Sequence, residues 1–536
     1  MAFGEQPEGK RAGKGMGAKI LDNSEILHPI SSNLVGERSD GGGGGGAGGG
    51  PRRVAGERGG ELRAAGAGAG WRRRRQLMMI WEEGKRVGHL AGPMVAMGLT
   101  QLLVQVVSNM MVGHLGQLAL SSAAIATSLT NVTGFSLLLG LASGLETICG
   151  QAYGAEQYHK LAVYTYRSIA TLLLACLPIS LLWLMMAKIL TLLGQDPVIS
   201  SEAQKYAMWM IPGLFAYAGI QPLMKFLQSQ SLILPLFLTS LATLCFHVPL
   251  CWVMVFKLGL GNVGASLAIS ISDWLSVLLL ILYVRFSPSC EETRAPLSWE
   301  AFRGINEFLR FAVPSALMMC LEWWSFELLI LLSGLLPNPE LEASVLSICL
   351  TCLTTLFTIP MGIGAAASIR VSNELGAGNP ERARSVAGVT VFIGLIESVA
   401  VSVILLALRR TLGYAYSSEE EVINYVTSMV PLACISVITD GLQGVLSGIC
   451  RGCGWQHLGA YINLGAFYLF GIPAAVLLGF RMHLGGKGLW IGIICGSTTQ
   501  TILLAVVTCF TNWEKMANMA RERIFDERLT EGSVAA

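Results

Sequence analysis

The chain has 536 residues, 53% of them hydrophobic and only 13% charged, with a net charge of +2. Soluble globular proteins carry about 25% charged residues. That deficit, together with apolar runs of about 20 residues or more, excludes an ordinary soluble domain and indicates a polytopic helical membrane protein. The near-neutral balance offers nothing to nucleic acid. The 13 cysteines are scattered, mostly inside apolar segments, where a free thiol behaves as a small hydrophobe rather than as part of a secreted disulfide framework.

Residues 1–80 read as a disordered, Gly/Arg-rich cytosolic tail with no signal peptide, containing the run Gly41 to Gly46 and the cluster Arg72 to Arg75. Arginines ahead of the first apolar segment hold the N-terminus in the cytosol. Twelve spans follow, at about 87–112, 120–148, 161–189, 201–226, 231–256, 262–286, 306–336, 341–370, 384–408, 421–449, 456–481 and 487–511. At 1.5 Å per residue each reaches across about 30 Å of hydrocarbon. Inner loops and loop ends, among them Lys160, Arg310, Arg370 and Arg451, are modestly more basic than outer ones. The domains expected are an N-lobe at 81–286, a linker at 287–302, a C-lobe at 303–513 and a cytosolic C-terminal tail at 514–536.

The halves repeat. "GQAYGAEQ" from Gly150 and "NELGAGNPERAR" from Asn373 align Gly154–Ala155 with Gly376–Ala377. The same register pairs Gly140 with Gly362, and close to it Pro93 with Pro314 and Pro249 with Pro473. Each half has six spans, so both enter the membrane from one side, a parallel repeat about the membrane normal. Transporters built this way usually bind substrate between the repeats and rock between two openings.

Ionisable residues inside spans are costly and read as functional. Glu322 lies 12 residues beyond Arg310, and Asp440 lies 11 residues before Arg451. Both are therefore about 16–18 Å into the membrane from the cytosolic side. Holding a carboxylate there costs about 3 kcal/mol. Protonating a glutamate of ordinary pKa at pH 7 costs about 3.7 kcal/mol. The two costs are close, which suits a proton switch; the alternative is a carboxyl that braces two helices. Glu327 is about 140° around the helix from Glu322, so it is expected on another face, at the cavity's outer end or bonded to a neighbouring helix. Gln101, Gln105 and Asn109 recur every four residues as one polar stripe. Trp323 and Tyr461 are candidates for stacking on a planar or cationic solute. Asp273 reads as a further membrane acid, Glu146 and Glu397 as helix-end or packing groups, and His247 as a satisfied packing histidine. Gly140–Gly144 and Gly492–Gly496 are GxxxG spacings that let helices approach.

"GLGNVG" from Gly259 lies between spans with no preceding strand, so it is no dinucleotide site. Cys349/Cys352 and Cys450/Cys453 are separated CxxC pairs and make no joint zinc site. No P-loop supports ATP-driven transport, and no nucleophile–base set supports an enzyme.

"MVGHLGQLALSSAAIATSLTNVTGFSLLLGLASGLETICGQAYGAEQYH" from Met111, "IPMGIGAAASIRVSNELGAGNP" from Ile359 and "CRGCGWQHLGAYINLGAFYLFGIPAAVLLGF" from Cys450 closely resemble the multidrug and toxic compound extrusion (MATE) family, in wording nearest its plant DETOXIFICATION branch. The resemblance covers about residues 87–512. It implies an all-α integral membrane fold with twelve transmembrane helices in two pseudo-symmetric six-helix lobes. It also implies proton-coupled antiport of organic solutes, including xenobiotics and secondary metabolites. Acids at the Glu322 and Asp440 positions would then carry the proton. The implied chain works as a monomer in a vacuolar or plasma membrane, with a small organic substrate, the lipid bilayer, and no cofactor beyond H⁺. A flippase of the same superfamily and a passive channel are the alternatives. Thr351 stands where plant members commonly have Asn, so it is a further candidate to line the cavity.

Overall fold

The computed structural model describes residues 54–296, 299–302 and 304–525. Residues 1–53 and 526–536, with the Gly41–Gly46 run, lie outside the described residues, as do Arg303 and the side chains of 54–77, the Arg72–Arg75 cluster among them. By backbone contacts the chain divides into Met1–Gly70 and Trp71–Ala536, and all twelve membrane crossings lie in the second.

The crossings are α1 (Val54–Gly113, apolar from Ile80), α2 (Gln117–Gly154), α3 (Tyr158–Leu184), α4 (Pro197–Ser229), α5 (Ile233–Lys257), α6 (Gly261–Phe286), α7 (Ile305–Ser333), α8 (Pro339–Gly376), α9 (Pro380–Ala407), α10 (Glu420–Cys453), α11 (Gln456–Arg481) and α12 (Gly485–Cys509). Among the described residues there is no strand. A helix bonds its own backbone, which hydrocarbon demands. Eleven of the twelve are long and apolar enough to span a membrane by composition alone. The remaining one, α4, has 33 residues but carries Tyr206, Pro212, Gln221 and Pro222; it packs between α3 and α6.

Local chemistry sets the helix ends. Asp196 caps α4 by accepting from the amides of Val198 (2.8 Å) and Ile199 (3.1 Å). Proline at the first position opens α8 and α9. Gly454, at φ 84°, closes α10. The expected span 161–189 breaks at Leu184, and a short helix, Met186–Leu192, follows. The described part of the expected N-terminal tail is helical from Val54. Within the expected C-terminal tail, α13 (Trp513–Phe525) buries Trp513, Met516, Ala517, Ala520 and Ile524.

The first and last six helices meet along α2. A methyl group at Gly140 would lie 2.6 Å from Ala316 Cα, and one at Gly144 would lie 2.9 Å from Ala312 N, so the small residues are what let α2 and α7 touch. Gly496 stands against Phe467 in the same way within the second half. At the end of α2 the contact is polar and buried. Glu146 pairs with Lys225 of its own half (2.6 Å) and with Arg451 of the other (2.9 Å). Gln151 donates to the Gly452 carbonyl at 3.2 Å, and Asn373 donates to the Ser229 carbonyl at 3.1 Å. By the charge bias of the loops this is the cytosolic end. Nearer mid-membrane the halves are joined by Ser128 donating to Glu327 (3.1 Å) and Trp324 donating to the Val132 carbonyl (3.2 Å). Among the described residues, no side-chain hydrogen bond joins the halves on the outer side of Ser128. The two halves are thus latched at one end and unlatched at the other.

Candidate functional site

α7 places Glu322 at the centre of the second half. Its Oε2 accepts from Gln443 of α10 (2.7 Å), Gln500 of α12 (3.3 Å) and Asn463 of α11 (3.4 Å). The amides are themselves fixed: Asn463 donates to the Met318 carbonyl (2.7 Å), Gln500 donates to Asn463 Oδ1 (2.6 Å), and Gln443 donates to Ser447 (2.9 Å). Three preset donors on one carboxyl oxygen favour an acceptor there. Glu322 Oε1 takes no hydrogen bond among the described residues. Asp440 of α10 lines the same cavity as Glu322, beside Thr439, whose hydroxyl is 3.2 Å from that of Ser497.

Both acids line one cavity of about 240 Å³. Glu327 and Glu397 line it too, with Trp323, Trp324, Phe326, Phe357 and Phe467 as aromatic wall and Asn131, Ser136, Thr354, Gln443 and Gln500 as polar wall. No Lys, Arg or His is among the residues lining it. The helices are irregular where they meet it. α2 has a wide π-type turn at Asn131–Phe135, and α11 another at Leu464–Gly471, which holds Phe467. Such turns re-aim side chains and recur at functional sites.

Of the residues singled out in the sequence, Glu322, Asp440, Glu327 and Trp323 come together on this cavity. Glu327 was expected on another face. It both accepts from Ser128 of α2, a neighbouring helix, and lines the cavity with Glu322, the two placements offered for it by the sequence. Glu397, read as a packing group, lines the cavity as well. Glu146 is a buried ion-pair acid at the cytosolic end. Gln101, Gln105 and Asn109 lie on α1 outside the lining: Gln101 sits 3.8 Å from Met224 Sδ, and Gln105 donates to Asn109 at 3.3 Å. Thr351 is exposed and bonds back to the Ser347 carbonyl (2.9 Å); Tyr461 is 70% exposed. Neither is among the residues that line the cavity. His247 is fully buried between Ser108 (2.8 Å) and Ser272 (2.9 Å). Asp273 sits where α6 meets α4 at Gly213, away from the cavity. Gln443, Asn463 and Gln500 went unnoticed in the sequence, although amides deep in apolar spans are costly enough to be a signal.

A twelve-helix bundle in two repeats, latched at one end around a membrane-embedded acidic cavity, defines a multi-pass integral membrane transporter rather than an enzyme. The MatE family model matches residues 93–253 and again 314–477, one match per half. Protein DETOXIFICATION 12 of Arabidopsis thaliana is 57% identical over 442 residues, which is 82% of this chain and 92% of that protein. Protein DETOXIFICATION 14 of the same plant is 54% identical over 449 residues, covering 84% and 93%. A crystal structure of the eukaryotic MATE transporter AtDTX14 superposes with a TM-score of 0.81 at 54% identity, covering 83% of this chain and 100% of that one. The chain belongs to the MATE family of transporters.

Proposed function

We propose that this transporter exports or sequesters organic solutes in exchange for protons, with Glu322 and Asp440 as the coupling pair. The observation that carries the reading is the Glu322 carboxyl: one oxygen is held by three amides, the other takes no hydrogen bond among the described residues, and a second acid, Asp440, lines the same cavity. With both acids ionised, the cavity attracts a cationic or hydrogen-bond-donating solute, and the aromatic wall stacks on it. A proton from the acidic side then neutralises an acid and releases the solute, and the protonated carrier returns. For a monovalent cation the exchange is electroneutral. A gradient of two pH units, at about 1.4 kcal/mol each, then sustains about a hundredfold solute gradient.

The acidic wall favours organic cations or planar hydrogen-bonding solutes and argues against a flippase for anionic lipid-linked substrates, which calls for basic residues. The proposed carrier works as a monomer, in the vacuolar or plasma membrane. The test is uptake into inside-out vesicles under an imposed pH gradient at fixed voltage. Glu322→Gln and Asp440→Asn are each expected to abolish gradient-driven uptake. Uptake that survives both substitutions sinks the assignment; uptake indifferent to the pH gradient indicates a channel.

A further inference from the structure

We propose that Glu397 of α9 loads protons onto the Glu322–Asp440 pair across the cavity that all three line. This role rests on the proton-exchange reading above and adds a residue to it.

α9 is a peripheral helix. Phe392, Leu395, Ile396, Val399, Val403 and Ile404 are exposed along it, as suits a lipid-facing stripe. Glu397 is half-buried at the edge of that stripe, on the side of Ile404, and lines the cavity with Pro360, Asp440 and Gly441. The wall between is thin. Gly441 directly follows Asp440, and a methyl group there would strike Ser398, the neighbour of Glu397. α9 and α10 therefore touch next to both acids, and the two carboxyls line the same cavity.

A bracing role does not account for Glu397. Among the described residues its one hydrogen bond is with the adjacent Ser398 hydroxyl, at 3.3 Å, so it ties α9 to no other helix there. A mid-membrane acid costs about 3 kcal/mol, and no structural bond offsets that here. The helices packed on α9 are α8, α10 and, at the cytosolic end, α13. α10 presents Asp440 and the Cys434 thiol, which is engaged with the Ser402 carbonyl at 3.4 Å. α8 lines this part of the cavity with Thr354, Phe357 and Pro360, none of them titratable, and Glu322 of α7 lines the same cavity. α13 contributes charged side chains such as Glu514, Lys515 and Arg521 at the cytosolic end. No cation on these elements lines the cavity to hold Glu397 permanently ionised.

The step balances. The Glu397 carboxylic acid gives its proton, through water in the cavity, to the Asp440 carboxylate. The products are the Glu397 carboxylate and the Asp440 acid, and Glu397 then takes a proton from water on the acidic side.

The test uses the full chain in proteoliposomes, with ethidium as the organic-cation probe and an entrapped pH dye. Glu397→Gln is expected to slow gradient-driven exchange about tenfold and to flatten its pH profile. Ethidium affinity, read from quenching of tryptophan fluorescence, is expected to fall far less than the exchange rate, and Glu397→Asp to restore the profile. A wild-type rate and profile in Glu397→Gln overturns the relay alone, as does a loss of ethidium binding that matches the loss of transport. Absence of gradient-driven exchange in the wild-type protein overturns the antiport reading and the relay with it. A measurement independent of variant folding is labelling of the wild-type protein with dicyclohexylcarbodiimide, which attacks protonated membrane carboxyls. Modification of Glu397 with parallel loss of exchange supports the relay; full modification with exchange intact overturns it.

Discussion

Glu146→Gln should loosen the latch at the cytosolic end. Glu146 is 7% exposed and holds Lys225 at 2.6 Å and Arg451 at 2.9 Å. Glutamine keeps the shape but removes the charge. Only the Arg451 contact crosses between the halves, so only that one distinguishes a closed end from a parted one; the Lys225 contact lies within one half. A hydrogen bond between charged groups contributes about 1.5–3 kcal/mol, against about 0.5–1.5 for a neutral one. In addition, the substitution leaves two buried cations side by side without their counter-ion, and losing one partner of a buried pair costs about 3–5 kcal/mol. Taking about 2 kcal/mol as the share specific to the closed end, the population with that end parted rises about thirtyfold at 1.4 kcal/mol per decade. Cys450 and Cys453 flank Arg451 and are buried, so they report directly. With the other cysteines replaced, a membrane-impermeant maleimide applied to the cytosolic face of inside-out vesicles should label them about thirtyfold faster in Glu146→Gln. Unchanged labelling in a variant of unchanged thermal stability would refute the latch.

Gly140→Val forces a side chain onto the Ala316 backbone and should cost about 1–3 kcal/mol, read as a lowered unfolding midpoint in detergent. Gly88→Ala meets nothing within 4 Å and should leave the midpoint unchanged or slightly raised. Asn463→Ala removes a donor to the Met318 carbonyl and the acceptor of Gln500; about 1–3 kcal/mol per orphaned buried group is expected, with slowed uptake in the same vesicles. Thr351→Ala, outside the cavity, should transport at the wild-type rate; a changed solute preference would show that Thr351 reaches the solute in another conformation.

Much of the fold was legible because hydrocarbon leaves few options. A run of about 20 apolar residues bonds its own backbone or does not enter the membrane, so spans such as 262–286 were read nearly to the residue. α4 was placed correctly even though its prolines and glutamine dilute its apolar character. Boundaries were less legible where a break depends on packing, as at Leu184. The acidic pair was legible for an energetic reason: charge at mid-membrane is expensive wherever it sits, and counting residues from a basic helix end measures depth.

Depth, helix count and the two-fold repeat follow from the sequence itself, because rise per residue and the cost of desolvation are local quantities. Azimuth and neighbourhood do not. Only the tertiary structure decided that Glu322 is wrapped by amides from α10, α11 and α12, and that a half-buried Glu397 on a peripheral helix lines the same cavity. It likewise decided that Glu327 lines the cavity while Thr351 and Tyr461 do not. Those outcomes depend on which helices pack side by side and how each is rotated, and in the membrane that is set by contacts between small residues far apart in the chain, such as Gly140 with Ala316.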